Sequence, residues 1–414
     1  MITSTPSRCV PFRGNRLLAG LVMAAALAST RGATLTLSEP LDHQVTQRST
    51  AARGTVRVRG ALAEADPATV RLELRVTVDG RPGEWQPLRA SFSASNFTAS
   101  VELPAGGWHQ LEVRALQQDT VLATTRVDHV GVDEIFVVAG QSNSANHGAE
   151  KQTPKSALVV TFDGRRWRPA ADPQPGASGG GGSFLPPFGD RIAAQFKVPV
   201  GFIACGIGAT SVREWLPKGV RFPHPPTIEG RVRRLPDGSW ESKGEAYEML
   251  VRRMKALGSR GFRAVLWHQG ESDANQRDTS RTLPGTLYRE MLGQVIRDSR
   301  RDIGWDAPWF VAQVSYHVPG DESSPDIRAA QAALWADGIA LPGPDSDALR
   351  SEFREDGGRG MRPTGHERLL WCAQNGRAPV SAPGVDTGAA EATGPGTASG
   401  RSRARRRTAA RSWP

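Results

Sequence analysis

Cysteine is scarce in this chain, with Cys9, Cys205 and Cys372 the only three among 414 residues. That excludes a disulfide framework. Once Cys9 leaves with the leader described below, only a Cys205–Cys372 bridge is conceivable, and stability must come from a buried core. Long apolar runs are also missing. The one candidate, Leu17 to Ala28 (LLAGLVMAAALA), is too short to cross a bilayer core of about 30 Å as a helix. Arg8, Arg13 and Arg16 precede it and small residues end it, so residues 1–33 read as a secretory signal, an uncleaved anchor being the lesser alternative. The expected location is therefore secreted or periplasmic, with no membrane attachment after cleavage. Internal repeats are absent. The glycine run Gly179–Gly182 lacks the Gly-Lys-Ser/Thr that a phosphate-binding loop needs, and reads instead as a mobile loop.

Acidic residues are too few to balance the basic ones, and the chain carries a formal net charge of +10. Its distribution argues against nucleic-acid binding. The excess lies in residues 1–33, which hold four Arg and no acid, and in residues 373–414, which hold seven Arg against Asp386 and Glu391. The body between them is close to neutral. Residues 373–414 are rich in Gly, Ala, Pro and Arg without apolar periodicity and are expected to be a disordered basic tail. A change of reading frame in a G- and C-rich gene would give the same composition, and the sequence leaves both origins open.

Two globular regions remain. In residues 34–131 apolar and polar residues alternate, as in Thr55–Arg59, Val70–Val76 and Leu111–Ala115, with Asp79-Gly80 and Pro104–Gly107 as turns. The pattern predicts a small all-β sandwich of immunoglobulin-like size, a spacer or lid that offers no aromatic sugar platform. Residues 132–372 differ. Solid apolar runs at Ile135–Ala139, Val198–Ala204, Ala264–Trp267 and Trp309–Val314 read as buried parallel strands. Helical periodicity falls between them at Tyr247–Leu257, Leu287–Ser299 and Asp326–Ala336. The expected fold is α/β, a parallel sheet with helices on both faces and ligands outside the carboxyl ends of the strands.

Three post-strand loops carry candidate chemistry. Gly140-Gln141-Ser142-Asn143 places a serine on a glycine-flanked turn at a strand end, where its hydroxyl and N–H can face the same space. Trp267-His268-Gln269-Gly270-Glu271-Ser272-Asp273 puts three ionisable side chains and an amide within a few residues. Glu271 or Asp273 can orient an imidazole and Gln269 can donate to an oxyanion; helix caps and a core histidine are the bland alternative. Gly206–Ser211 lets backbone N–H groups approach a substrate oxygen. His317, Asp345, Asp347, Asn146 and His147 are further candidates near the sheet edge, while Trp167, Phe184 and Trp215 are either sugar-stacking or core residues. His43, His109 and His129 receive no chemistry.

Together GQSN at 140–143, GATSVREW at 208–215, WHQGESD at 267–273 and the run from Asp326 to Gln331 resemble the sialate O-acetylesterase and acetyl-xylan-esterase branch of the SGNH (GDSL-like) hydrolases. The resemblance implies a three-layer, flavodoxin-like α/β/α fold over residues 132–372 and an enzyme that removes acetyl groups from sugar hydroxyls through an acyl-enzyme, without metal or organic cofactor. Its partner is an acetylated carbohydrate, not a nucleic acid; the oligomeric state stays open. It implies Ser142 as nucleophile, Glu271 as the acid orienting the histidine, and Gly208 and Gln269 in the oxyanion hole beside the Ser142 N–H. Gln141, Asn143 and His268 are assigned to substrate binding. The catalytic histidine departs from the pattern: Arg362 stands where it is expected, and an arginine cannot accept the serine proton. His366, four positions later, is the candidate replacement, and a catalytically impaired sugar-binding relative is the alternative.

Overall fold

The computed structural model describes residues 32–354 and 361–362. The expected signal, His366, Cys372 and the basic tail therefore lie outside the described residues. No described helix is long and apolar enough to cross a membrane.

The first part is all strand: β1 (Thr34–Glu39), β2 (Gln44–Gln47), β3 (Arg53–Ala63), β4 (Val70–Val78), the short β5 (Arg81–Pro82), β6 (Gln86–Pro87) and β7 (Ser91–Ser93), then β8 (Asn96–Pro104), β9 (His109–Gln117) and β10 (Thr120–Gly140). One sheet has the order β1-β3-β8-β7, while β4, β9 and β10 form a second. Period-two patterning decides which side chains face inward: in β3 every second residue from Gly54 to Leu62 is buried. Val56, Val58, Phe97 and Leu103 of the first sheet meet Leu72, Leu74, Leu111 and Val113 of the second in one apolar layer. Burying such a side chain contributes roughly 1.5–3 kcal/mol each.

The second part follows as β11 (Val159–Phe162), β12 (Trp167–Pro169), α1 (Leu185–Phe196), β13 (Val200–Ala204), a small ribbon of β14 (Arg221–Phe222), β15 (Val232–Arg234) and β16 (Trp240–Ser242), then α2 (Glu245–Ala256), β17 (Ala264–His268), α3 (Gly285–Ile303), β18 (Trp309–Gln313), α4 (Pro325–Ala336) and β19 (Leu341–Asp345). The predicted strands and helices fall where expected, within a few residues. The order is β12-β11-β13-β10-β17-β18-β19, parallel except for β12. Strand β10 belongs to both parts. Its first half pairs antiparallel with β9, and its last residues pair parallel with β13 and β17.

Helices cover both faces because successive β10 side chains point to opposite sides. Phe136 and Val138 pack on α1 with Phe188 and Ile192. Val137 and Ala139 face the opposite core, which holds Leu250 of α2, Leu292 and Val295 of α3 and Leu334 of α4. The helix ends carry their own signals. Ser324 caps α4 ahead of Pro325, and Glu245 and Glu248 open α2 while Arg253 and Lys255 close it, matching the helix dipole. From β10 the chain first builds β11 and β13 on one side, then β17, β18 and β19 on the other. The crevice outside the carboxyl ends of β13, β10 and β17 is thus the topological switch point, where α/β sheets bind ligands.

Candidate active site

The β10 exit is a forced turn. Gly140 has φ 125°, and a Cβ there would lie 2.1 Å from the His268 carbonyl oxygen, which accepts the Gln141 N–H at 2.9 Å. Only glycine lets β10 pass β17 so closely. The next residues form a single 3₁₀ turn, Ser142–Ser144, closed by Ala145 N–H to the Ser142 carbonyl at 3.0 Å. Asn143 and Ser144 are buried while Ser142 is partly exposed, so the turn presents Ser142 and anchors its neighbours.

Both anchors reach the loop after β17. The Gln141 Oε1 accepts the Ser272 N–H at 3.0 Å, and the Asn143 Nδ2 donates to Glu271 Oε1 at 3.1 Å. Gln141 and Asn143, assigned to substrate binding from sequence, are thus buried struts between the serine turn and the carboxylate. His268 is fully buried, its Nε2 2.9 Å from Ser346 Oγ and its Nδ1 3.8 Å from Glu271 Oε1. Its ring is shut off from solvent and lies against Glu271.

Glu271 is the electrostatic focus. Burial pushes its carboxyl up to about 7, against hydrogen bonds from its own backbone and Asn143 and the charge of Arg354, which favour ionisation. Its second oxygen, Oε2, has no hydrogen-bond partner among the described residues. Asp273 is spoken for. Fully buried, it pairs with Arg213 at 3.1 Å, accepts Val212 N–H at 2.9 Å and takes the Gln269 amide at 2.5 Å. Of the two carboxylates that sequence left as orienting acids, only Glu271 keeps a free oxygen.

The expected oxyanion groups are occupied. Gly208 N–H donates to Ser178 Oγ at 2.6 Å, and that hydroxyl also lies 3.1 Å from His147 Nε2. The Gln269 amide nitrogen is directed at Asp273, at the Thr210 carbonyl and at Gln141 Oε1, all inside the protein. In this state Gln269 bridges the β13 and β17 loops.

Several residues missed by sequence reasoning complete the frame. Arg213 gives the VREW run its purpose: besides Asp273 it donates to the Pro225 and Arg281 carbonyls at 2.8 Å each. The Asp326–Gln331 run works through Arg328, which pairs with Asp345 and Asp347 at 2.7 and 2.9 Å, and through Gln331, which brackets both backbone groups of Val314. Asp347 in turn accepts the Ser315 and Tyr316 N–H groups at 2.9 Å. Arg354 is buried over the Tyr316 ring, 3.8 Å from its centroid. His317 instead leans toward Asp321 at 3.6 Å.

One open choice is decided and one expectation needs correction. Trp167, Phe184 and Trp215 are all buried, so none stacks on a sugar; Trp215 packs edge-on against Trp267 and donates to Thr210 Oγ1. The Gly179–Gly182 run is pinned, not loose: Gly181 and Gly182 donate to the Asn146 and Gly148 carbonyls, and Gly148 donates back to Gly182. Cys205 is buried and free. Arg362 is exposed, and its Nε donates to the Arg354 carbonyl at 2.6 Å. The preceding Met361 carbonyl accepts Ala149 N–H at 3.1 Å, which sets Arg362 close to the segment that follows the Ser142 turn.

A serine turn, a buried carboxylate and glycine-rich backbone meet at the switch point of an α/β sheet, and the class of protein is a carboxylic ester hydrolase, as the family match shows. The family model described as carbohydrate esterase, sialic acid-specific acetylesterase, matches residues 132–340, half of the chain, and the protein belongs to that family. A carbohydrate acetylesterase from Xanthomonas citri is similar in structure over 75% of this chain and 68% of its own, with 20% identity and a TM-score of 0.43. A chitinase from Paenibacillus sp. covers 78% of this chain and 25% of its own at 11% identity, with a TM-score of 0.18. No curated protein sequence matches the chain.

Proposed function

We propose that the protein is an exported serine esterase that removes O-acetyl groups from carbohydrate of the sialate or xylan type. Ser142 attacks the acetyl carbonyl and a histidine takes its proton, then returns it to the sugar oxygen as the acetyl–oxygen bond breaks and the sugar hydroxyl leaves. The Ser142 and Gly208 N–H groups receive the oxyanion once Ser178 gives way, and water then hydrolyses the acyl-enzyme. Gln269 joins them only if its amide leaves Asp273. Glu271 holds the imidazole. The observation that supports this most is the Glu271 Oε2, a buried carboxylate oxygen left without a donor beside the serine turn. Such an atom is costly unless an N–H reaches it, and an imidazole N–H is the donor this chemistry needs. We assign that histidine to His366. The 34–131 sandwich serves as an immunoglobulin-like spacer, and residues 1–33 direct export to the periplasm or medium.

The position of Arg362 favours a second reading, a sugar-binding relative with impaired catalysis. A guanidinium near the serine turn stays charged and accepts no proton. The two readings separate in one assay of acetate release from an acetylated sugar. The first expects turnover by the wild type, lost in Ser142→Ala and His366→Ala. Sugar binding without turnover, with turnover gained by Arg362→His, selects the second. Turnover unchanged in Ser142→Ala refutes both.

A further inference from the structure

Three donor side chains left out of the esterase chemistry converge on the all-β part, two of them about a hundred residues before Ser142 and the third on the strand that leads into its turn. Asp42 and His43 occupy the turn Leu41–Gln44, which is closed by Gln44 N–H to the Leu41 carbonyl at 3.0 Å, with His43 at φ 60°. His129 comes from β10, 87 residues away. The two imidazoles stack at 4.1 Å between centroids, and both turn Nδ1 to the same carboxylate: His43 Nδ1 lies 2.8 Å from Asp42 Oδ2 and His129 Nδ1 3.1 Å from Asp42 Oδ1. Trp108 closes one side, edge-on to both rings at 5.5 and 6.0 Å, and is fixed by its Nε1 on the Ala157 carbonyl at 3.2 Å.

We propose that Asp42, His43 and His129 form a binding site for a divalent cation of the zinc class. Adjacent ligands in a tetrahedral zinc site with bonds of 2.0–2.1 Å lie about 3.3 Å apart. The two imidazole–carboxylate separations are already within half an ångström of that, and one donor atom from each residue lies within 4.8 Å of the others. Two nitrogens and one carboxylate suit zinc, nickel or copper better than the all-oxygen preference of calcium or magnesium. Binding requires each imidazole to be neutral, with its proton on Nε2 and its Nδ1 offered to the metal. The fourth position opens to water, because all three side chains are partly exposed: 54% for Asp42, 29% for His43 and 41% for His129. The ion would clamp the Leu41–Gln44 turn to the strand that runs on into the esterase sheet.

The test is equilibrium dialysis of the untagged full chain against Zn²⁺, with elemental analysis, and Cu²⁺ titration monitored by tryptophan fluorescence. One equivalent of zinc is expected, with affinity at least 10-fold weaker in His129→Ala and in His43→Asn. The asparagine tolerates the left-handed backbone, so it removes the ligand without disturbing the turn. Copper should quench fluorescence in the wild type and lose most of that effect in Trp108→Phe, while a zinc-induced rise in Tm should vanish in both histidine variants. No stoichiometric zinc, or zinc retained equally by both histidine variants, overturns the site.

Discussion

The Asn143 amide donates to Glu271 Oε1 at 3.1 Å across 128 residues of sequence, joining the serine turn to the carboxylate loop. The bond fixes where Glu271 points and leaves only its second oxygen for a histidine. Asn143→Ala should therefore free the carboxylate and lower kcat/KM by about 10- to 100-fold with little change in Tm, a loss typical of a misplaced catalytic group. Steady-state kinetics alongside thermal melts check this; unchanged kcat/KM would show that Glu271 needs no such guide.

Glu271 should also leave a signature in pH dependence. Its carboxyl titrates at 4.5 in the unfolded chain and is raised to about 7 by burial in the fold. Between those values the native state holds the extra proton, so stability falls as pH rises, by about 3 kcal/mol once above 7. Glu271→Gln removes this slope. Denaturant unfolding at pH 5 and pH 8 should show the variant gaining stability relative to the wild type at the higher pH. Catalysis needs the ionised form, so wild-type kcat/KM should rise through about pH 7.

Gly140→Ala tests the turn itself. The new methyl would press on the His268 carbonyl at a backbone angle only glycine holds easily. The expected cost is on the order of 3 kcal/mol or more, read as a lower Tm with activity lost.

Arg213 and Asp273 are both wholly buried. Arg213→Met would leave the carboxylate uncompensated and cost roughly 3–5 kcal/mol, whereas the double change Arg213→Met with Asp273→Leu should recover much of it. Chemical denaturation of the set measures the coupling.

Ser178 occupies the Gly208 N–H that the proposed mechanism assigns to an oxyanion. Ser178→Ala should release that donor and raise kcat/KM a few-fold. If Ser178 is itself needed for turnover, the variant will instead lose activity.

The parallel strands were readable because apolar runs such as Ile135–Ala139 and Ala264–Trp267 can only be buried on both faces, and the glycine after each strand marked where the chain must turn. That Ser142 and Glu271 fall at the carboxyl edge of the sheet was readable for the same reason: both sit directly after such runs. The partners of Asp273, Gly208 and Gln269 were not, because Arg213 and Ser178 reach them by contacts that no local period encodes. Trp167, Phe184 and Trp215 show the limit of composition: an aromatic near a site in sequence serves a core or a sugar equally well until its burial is known. The convergence of Asp42 and His43 on His129 likewise depends on a strand pairing between distant segments.

The most direct measurement is peptide mass spectrometry of protein quenched in acid during turnover of p-nitrophenyl acetate. The expected result is a transient acetyl group on the Ser142 peptide, with neither adduct nor turnover in Ser142→Ala. Acetyl carried by another serine, or turnover that survives the alanine substitution, would contradict Ser142 as the nucleophile.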